Sequence, residues 1–162
     1  MKKSMLVAAA FLLAAFCTAP AADQDSNLVV NGRFEDGLKA WQTIGDVYLE
    51  TNGPSPGEVS AAIGPGAGSL AQRIETGGGN AFTLSATIQS QRTNGWVLTV
   101  RFLDKEGREL MRVDSLTDME RDKTDPRKLD HYMQPHPSTK WVEIIISNNL
   151  SGESVRVDQV GL

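Results

Sequence analysis

Residues 80–91, NAFTLSATIQSQ, set Phe82, Leu84, Ala86 and Ile88 against Thr83, Ser85, Thr87 and Gln89. A period of two sends successive side chains to opposite faces of an extended chain. This segment is therefore read as a strand with one face on a core and the other in water. The next stretch, GWVLTVRFLDKEGRELMRV (95–113), repeats the pattern. Trp96, Leu98, Val100 and Phe102 alternate with Val97, Thr99, Arg101 and Leu103, and DKEG at 104–107 turns the chain into a hairpin.

Outward from this centre the same reading continues. KWVEIIISNNLSGESVRVDQVGL (140–162) gives two strands around the polar loop NNLSGE. Val59–Ile63 and Ser69–Ile74 give two short ones across a Gly/Pro loop. WQTIGDVYLET (41–51) reads as one strand with a bulge at Gly45, and NLVVNGRF (27–34) as a first strand carrying a turn signal. Short strands with turn signals between them predict an all-β fold, an antiparallel sandwich or barrel. With 15 glycines and 7 prolines in 162 residues, a helical protein is excluded. The segment from Asp114 to Thr139, charged and with three prolines, is read as a long loop.

The amino terminus reads as an export signal. Lys2 and Lys3 precede the apolar run MLVAAAFLLAAF (5–16), too short for a membrane span, and TAPAAD offers small residues for cleavage after Ala21 or Ala22. Cys17 follows Phe16, where a lipoprotein signal needs a small residue, so lipidation is not expected. Cleavage removes this sole cysteine, leaving one disulfide-free domain, 23–162, expected to be soluble and periplasmic or extracellular. Without Lys2 and Lys3, 14 basic residues face 20 acidic ones, a net charge of −6. Nucleic acid and anionic membrane surfaces want a basic face and are excluded as partners.

No catalytic constellation stands out. His131 and His136, in HYMQPHP, are five apart beside prolines rather than four apart on a helix, and read as solvated. Asp104 and Glu106 sit in a hairpin turn. Neither a Ser/His/Asp set, a phosphate loop nor a flanking acid pair is recognisable, so the chain is not expected to be an enzyme.

The two ends carry a further pattern. NLVVNGRFEDGLKAW (27–41) and VRVDQVGL (155–162) resemble the opening and closing motifs of carbohydrate-binding modules of the family 4, 9 and 22 group. Those modules open on Asn-Leu, Asn-Gly-x-Phe-Glu, a Gly-containing loop and a Trp. They close on apolar-x-apolar-Asp-x-apolar-x-Leu. GSLAQRIE, FTLSATIQS and VLTVRFLDKEG follow in the expected order, and only 114–139 lies outside the pattern. The resemblance implies a galactose-binding-like jelly roll and a sugar-binding role. It also implies a structural calcium ion held by Glu35 and Asp158, with the carbonyl of Arg33 and the loop near Asn52 as further ligands.

On such a fold the polar faces are the candidate glycan surface. Thr87 and Gln89, joined by Thr99, Arg101 and Glu143, are expected on one outer sheet face, with Trp96 and Tyr132 stacking from the rim. Phe34, Trp41 and Trp141 are read as packing residues, and Trp96 also has a core reading. Two functions are carried forward: an exported, non-catalytic binder of a poly- or oligosaccharide, and an exported protein-interaction domain that keeps the fold without the sugar.

Overall fold

The computed structural model describes residues 27–51, 53–54, 57–90, 95–115, 126–149 and 152–162. Ten antiparallel strands make two five-stranded sheets, and no helix occurs among the described residues. The strands are β1 (Gln42–Ile44), β2 (Val47–Glu50), β3 (Ser60–Ile63), β4 (Gly68–Glu75) and β5 (Phe82–Gln89). After them come β6 (Trp96–Leu103), β7 (Glu109–Ser115), β8 (Arg127–Met133), β9 (Trp141–Asn148) and β10 (Val155–Gly161). The first sheet runs β1-β4-β9-β6-β7 and the second β2-β3-β10-β5-β8. The result is an all-β jelly-roll sandwich.

Alternation decides what goes between the sheets. Leu84, Ala86 and Ile88 of β5 meet Leu98, Val100 and Phe102 of β6 and Val142, Ile144 and Ile146 of β9 in one core. Burying a large aliphatic or aromatic side chain is worth about 1.5–3 kcal/mol, so this layer supplies the main drive to fold without a disulfide. Phe82 stacks on Phe102 at a centroid distance of 6.0 Å.

The structure corrects three expectations. Residues 127–133, RKLDHYM, form a strand within the segment read as a long loop, paired along β5 from Ile88↔Arg127 to Phe82↔Met133. The apolar positions Leu129 and Met133 fall four apart, with His131 between them, so the alternation is hidden by charge. The stretch 41–51 is two strands in different sheets. Gly45 (φ +74) makes the crossing, and a Cβ there would lie 2.4 Å from the Ala67 carbonyl oxygen. Finally, 27–41 holds turns rather than a first strand.

Asn31 builds those turns: its side-chain NH2 donates to the carbonyls of Gly37 (2.9 Å) and Lys39 (3.0 Å), and its Oδ1 accepts from Asp36 N (3.1 Å). The Trp41 indole donates to the Asn31 carbonyl (3.1 Å), and Phe34 and Trp41 pack with ring centroids 5.5 Å apart. Both rings are buried, as packing residues should be. Gly32 is needed for room: a Cβ would stand 1.9 Å from the Val160 carbonyl oxygen. The Val160 amide donates to the Gly32 carbonyl (2.9 Å) and the Leu28 amide to the Leu162 carbonyl (2.9 Å), clamping the N-terminal turn onto β10.

Candidate ligand-binding face

The outer face of the first sheet is a grid fixed by strand register. Facing residues of antiparallel neighbours share a face, so one row across β4, β9, β6 and β7 is Arg73, Glu143, Arg101 and Arg112. The row above is Glu75, Trp141, Leu103 and Glu109, and the row below is Ala71, Ile145, Thr99 and Asp114. Glu143 therefore stands between two arginines. It accepts from Arg73 (3.1 Å) and from Arg101 (2.7 Å), while the Arg101 Nε donates to Glu109 (2.7 Å). These bonds also explain how three arginines in one row are tolerated. The Arg101–Arg112 juxtaposition is offset by Glu109 on one side and by Asp114, at 3.0 Å from Arg112 Nε, on the other.

The electrostatics follow from these contacts. The Glu109 hydrogen bond, opposed by desolvation and supported by Glu143, raises the Arg101 guanidinium above its usual value. The Thr99 hydroxyl donates to Asp114 (2.6 Å) and, with Arg112, lowers that carboxyl. Exposed ion pairs of this kind add little stability, typically 0–1 kcal/mol. Their effect is to hold guanidinium and carboxylate groups at set positions on a flat sheet, where they can donate to and accept from hydroxyls.

Trp141 completes the face, and the sequence reading missed it. Val142, Ile144 and Ile146 are buried, so the alternation that turns Glu143 outward turns Trp141 outward as well. The indole is half-buried, with the Lys140 ammonium 5.9 Å from its ring centroid. Its register partner Leu103 is wholly buried, at the irregularity in the β6–β7 pairing between Phe102 and Leu103. Arg73 is the other addition, visible only once β4 is seen to pair with β9.

The structure splits the rest of the expected site. Thr99, Arg101 and Glu143 come together as described. Thr87 and Gln89 belong to β5, in the opposite sheet, and cannot share a surface with them. Alternation within each strand is correct; what it does not contain is the assignment of β5 and β6 to different sheets. Trp96 is only 4% exposed and sits in the core, leaving no ring face for stacking.

Of the four residues expected around calcium, Asp158 lies in β10, and Arg33 and Glu35 lie on the N-terminal turn. Asp158 is wholly buried at an irregularity in the β5–β10 pairing, and its Oδ1 accepts from the Gln159 amide (2.7 Å). The Val160–Gly32 bond sets the turn containing Arg33 and Glu35 alongside; both residues are exposed. Asn52 lies outside the described residues. No group of three or more His, Cys, Asp or Glu side chains stands together among the described residues. The donors present are hard oxygens, a buried carboxylate with a second carboxylate and carbonyls on the adjoining turn, and their chemistry suits Ca²⁺ rather than a transition metal. No helix is long and apolar enough to cross a membrane among the described residues.

No protein-family model and no curated protein matches the chain. Solved structures do. The enzymatically active domain of tailspike protein 4 from bacteriophage CBA120 superposes with a TM-score of 0.71 at 16% identity, over 83% of this chain and 21% of that one. The chain thus spans about a fifth of that tailspike domain. TmCBM61, solved with β-1,4-galactotriose, gives 0.61 at 18% identity over 85% of this chain and 97% of its own. A family 16 carbohydrate-binding module gives 0.64 at 16% identity, covering 83% and 97%. The fold is that of carbohydrate-binding modules.

Proposed function

We propose that the protein is an exported, non-catalytic glycan binder that uses the outer face of the first sheet. The observation that carries this reading is the juxtaposition of Trp141 with the Arg73–Glu143–Arg101 row. A partly exposed indole offers a surface for pyranose C–H groups, and the adjoining guanidinium and carboxylate groups suit vicinal hydroxyls. The modules that share the fold supply the context, and TmCBM61 with its bound galactotriose is one of them. Export through the leader at 1–22 places this activity in the periplasm or the medium. Ca²⁺ bound by Glu35, Asp158 and neighbouring carbonyls acts as a clip between the N-terminal turn and β10, a structural role only.

The test is calorimetric titration of the purified protein with xylohexaose and with β-1,4-galactotriose, repeated on Trp141→Ala and Arg101→Ala. Binding weakened about tenfold or more by either substitution, in a protein with unchanged circular dichroism, supports the face. Saturable binding indifferent to both places the sugar elsewhere. No heat from either sugar favours the second reading, a protein-interaction domain on the same fold.

A further inference from the structure

The outer face of the second sheet has a groove that the glycan reading above leaves unused. It lies where β5, the end of β10 and the β4–β5 loop meet, and encloses about 690 Å³. Gly161 forms part of its floor. A Cβ at this position would stand 2.8 Å from the Ser85 hydroxyl oxygen and 3.6 Å from the Asn27 amide group. The backbone at Gly161 is not left-handed, so it is space, rather than conformation, that calls for glycine.

Asn27, Asn80, Thr83 and Ser85 bring amides and hydroxyls to the lining. Asn27 is pinned beside the end of β10: its Oδ1 accepts from the amides of Val29 and Leu162, both at 3.0 Å. Its NH2 group and the side chains of Asn80, Thr83 and Ser85 have no partner among the described residues. The first-sheet grid differs, since there the polar groups already bind one another. No Lys or Arg lines the groove, and its one carboxylate side chain, Glu75 at the end of β4, is ion-paired with Lys140.

Beside this polar lining stands an aromatic ring. Tyr132 of β8 is the register partner of Thr83, so the two share the outer face with Cβ atoms about 5 Å apart. Tyr132 is 73% exposed, far more open than core packing requires. An open ring beside Thr83, at the border of a groove lined by uncommitted amides and hydroxyls and by no Lys or Arg, matches an uncharged hydroxylated ligand.

We infer that this groove is a second ligand site, separate from the first-sheet face, that takes a neutral sugar residue. Tyr132 stacks on the sugar's C–H face, and Asn27, Asn80, Thr83 and Ser85 meet its hydroxyls. A uronic acid or sulfated sugar finds no Lys or Arg among the lining residues.

Amide chemical shifts of the ¹⁵N-labelled protein, followed through titration with xylohexaose and with β-1,4-galactotriose, test the two faces separately. The expected result is a saturable shift around Thr83, Ser85 and Tyr132. Tyr132→Ala weakens it about tenfold, and Thr83→Val weakens it too, while shifts around Trp141 and Glu143 stay as they were. Because Tyr132 is so exposed, its removal should leave a dispersed, folded spectrum. Shifts confined to β5 and β8 support the second site and sink the first-sheet reading. Saturation at β6 and β9 with β5 and β8 unmoved overturns the second site, as do shifts at β5 and β8 that ignore Tyr132→Ala. Still amides on both faces overturn it as well.

Discussion

Asn148, the last residue of β9, reaches across the sandwich and can be removed to measure what that bridge is worth. Its side chain is wholly buried, and its NH2 group donates to the carbonyls of Ile63 (3.1 Å), Gly64 (2.9 Å) and Glu153 (2.8 Å). One amide thus ties the first sheet to the end of β3 and to the loop that enters β10. Asn148→Ala deletes two N–H donors shared among three acceptors. A net hydrogen bond is worth roughly 0.5–1.5 kcal/mol, and a buried acceptor left bare costs about 1–3 kcal/mol. Since the carbonyls of Ile63 and Gly64 are neighbours that share what solvation remains, the expected loss is about 3 kcal/mol. For a domain of this size that is a fall in Tm of about 10 °C. Urea unfolding followed by tryptophan fluorescence reads the loss directly, with an unchanged m-value as the sign that only the native state is affected. A loss below about 1 kcal/mol would refute the bridge. Asn148→Asp sharpens the test, because a carboxylate there faces three carbonyl oxygens and burial raises its folded pKa above the unfolded value of about 3.9. From that value up to the raised one the folded state binds more protons. The variant therefore loses stability as pH rises, and a stability that is flat or rising with pH would be inconsistent with the geometry.

Two further expectations concern acid and metal. Asp104 accepts the amides of Glu106 and Arg108, both at 2.9 Å, and Arg108 Nε at 2.7 Å; burial pushes its carboxyl up, but these bonds together hold it below 3.8. A lowered folded pKa gives stability that is present above the unfolded value and is lost as pH falls through the folded one. Asp104→Asn should thus flatten the acid limb of the stability profile below about pH 4, and identical limbs would remove Asp104 from the account. Calcium at a hundredfold excess over its Kd should stabilise the protein by about 2.7 kcal/mol relative to chelator. Glu35→Gln and Asp158→Asn should each diminish that gain, and a Tm indifferent to calcium in the unsubstituted protein would dispose of the clip.

Much of the fold was legible from strand alternation. Residues 82–89 carry a clean period of two; in 96–103 and 141–148 the inward set falls on the core as expected, although Thr99 and Leu103 of the outward set are buried too. Legibility failed where charge masks the pattern, as in β8, whose sole aliphatic position before Met133 is Leu129. It failed also where the chain changes sheets, as at Gly45 between β1 and β2. At the N-terminus the Asn31-Gly32 turn signal was legible, but the run of turns that replaces the expected first strand was not. Asn31 satisfies them with side-chain bonds reaching five to eight residues along the chain, which no local propensity encodes.

The candidate site divides along the same line. From sequence alone one can determine which side of a strand each residue occupies, because the pleat alternates without exception inside a regular strand. Arg101, Thr99 and Glu143 were placed outward on that ground; Arg101 and Glu143 reach that face, while Thr99 is buried there beneath its bond to Asp114. Which outward residues meet is a matter of strand order, and strand order is chosen by the packing of the whole sandwich. Tertiary structure alone therefore put Glu143 between Arg73 and Arg101, moved Thr87 and Gln89 to the opposite face, and buried Trp96. It also set Tyr132 beside Thr83 and folded the N-terminal turn onto β10, contacts between residues dozens of positions apart that only the closed fold brings within reach.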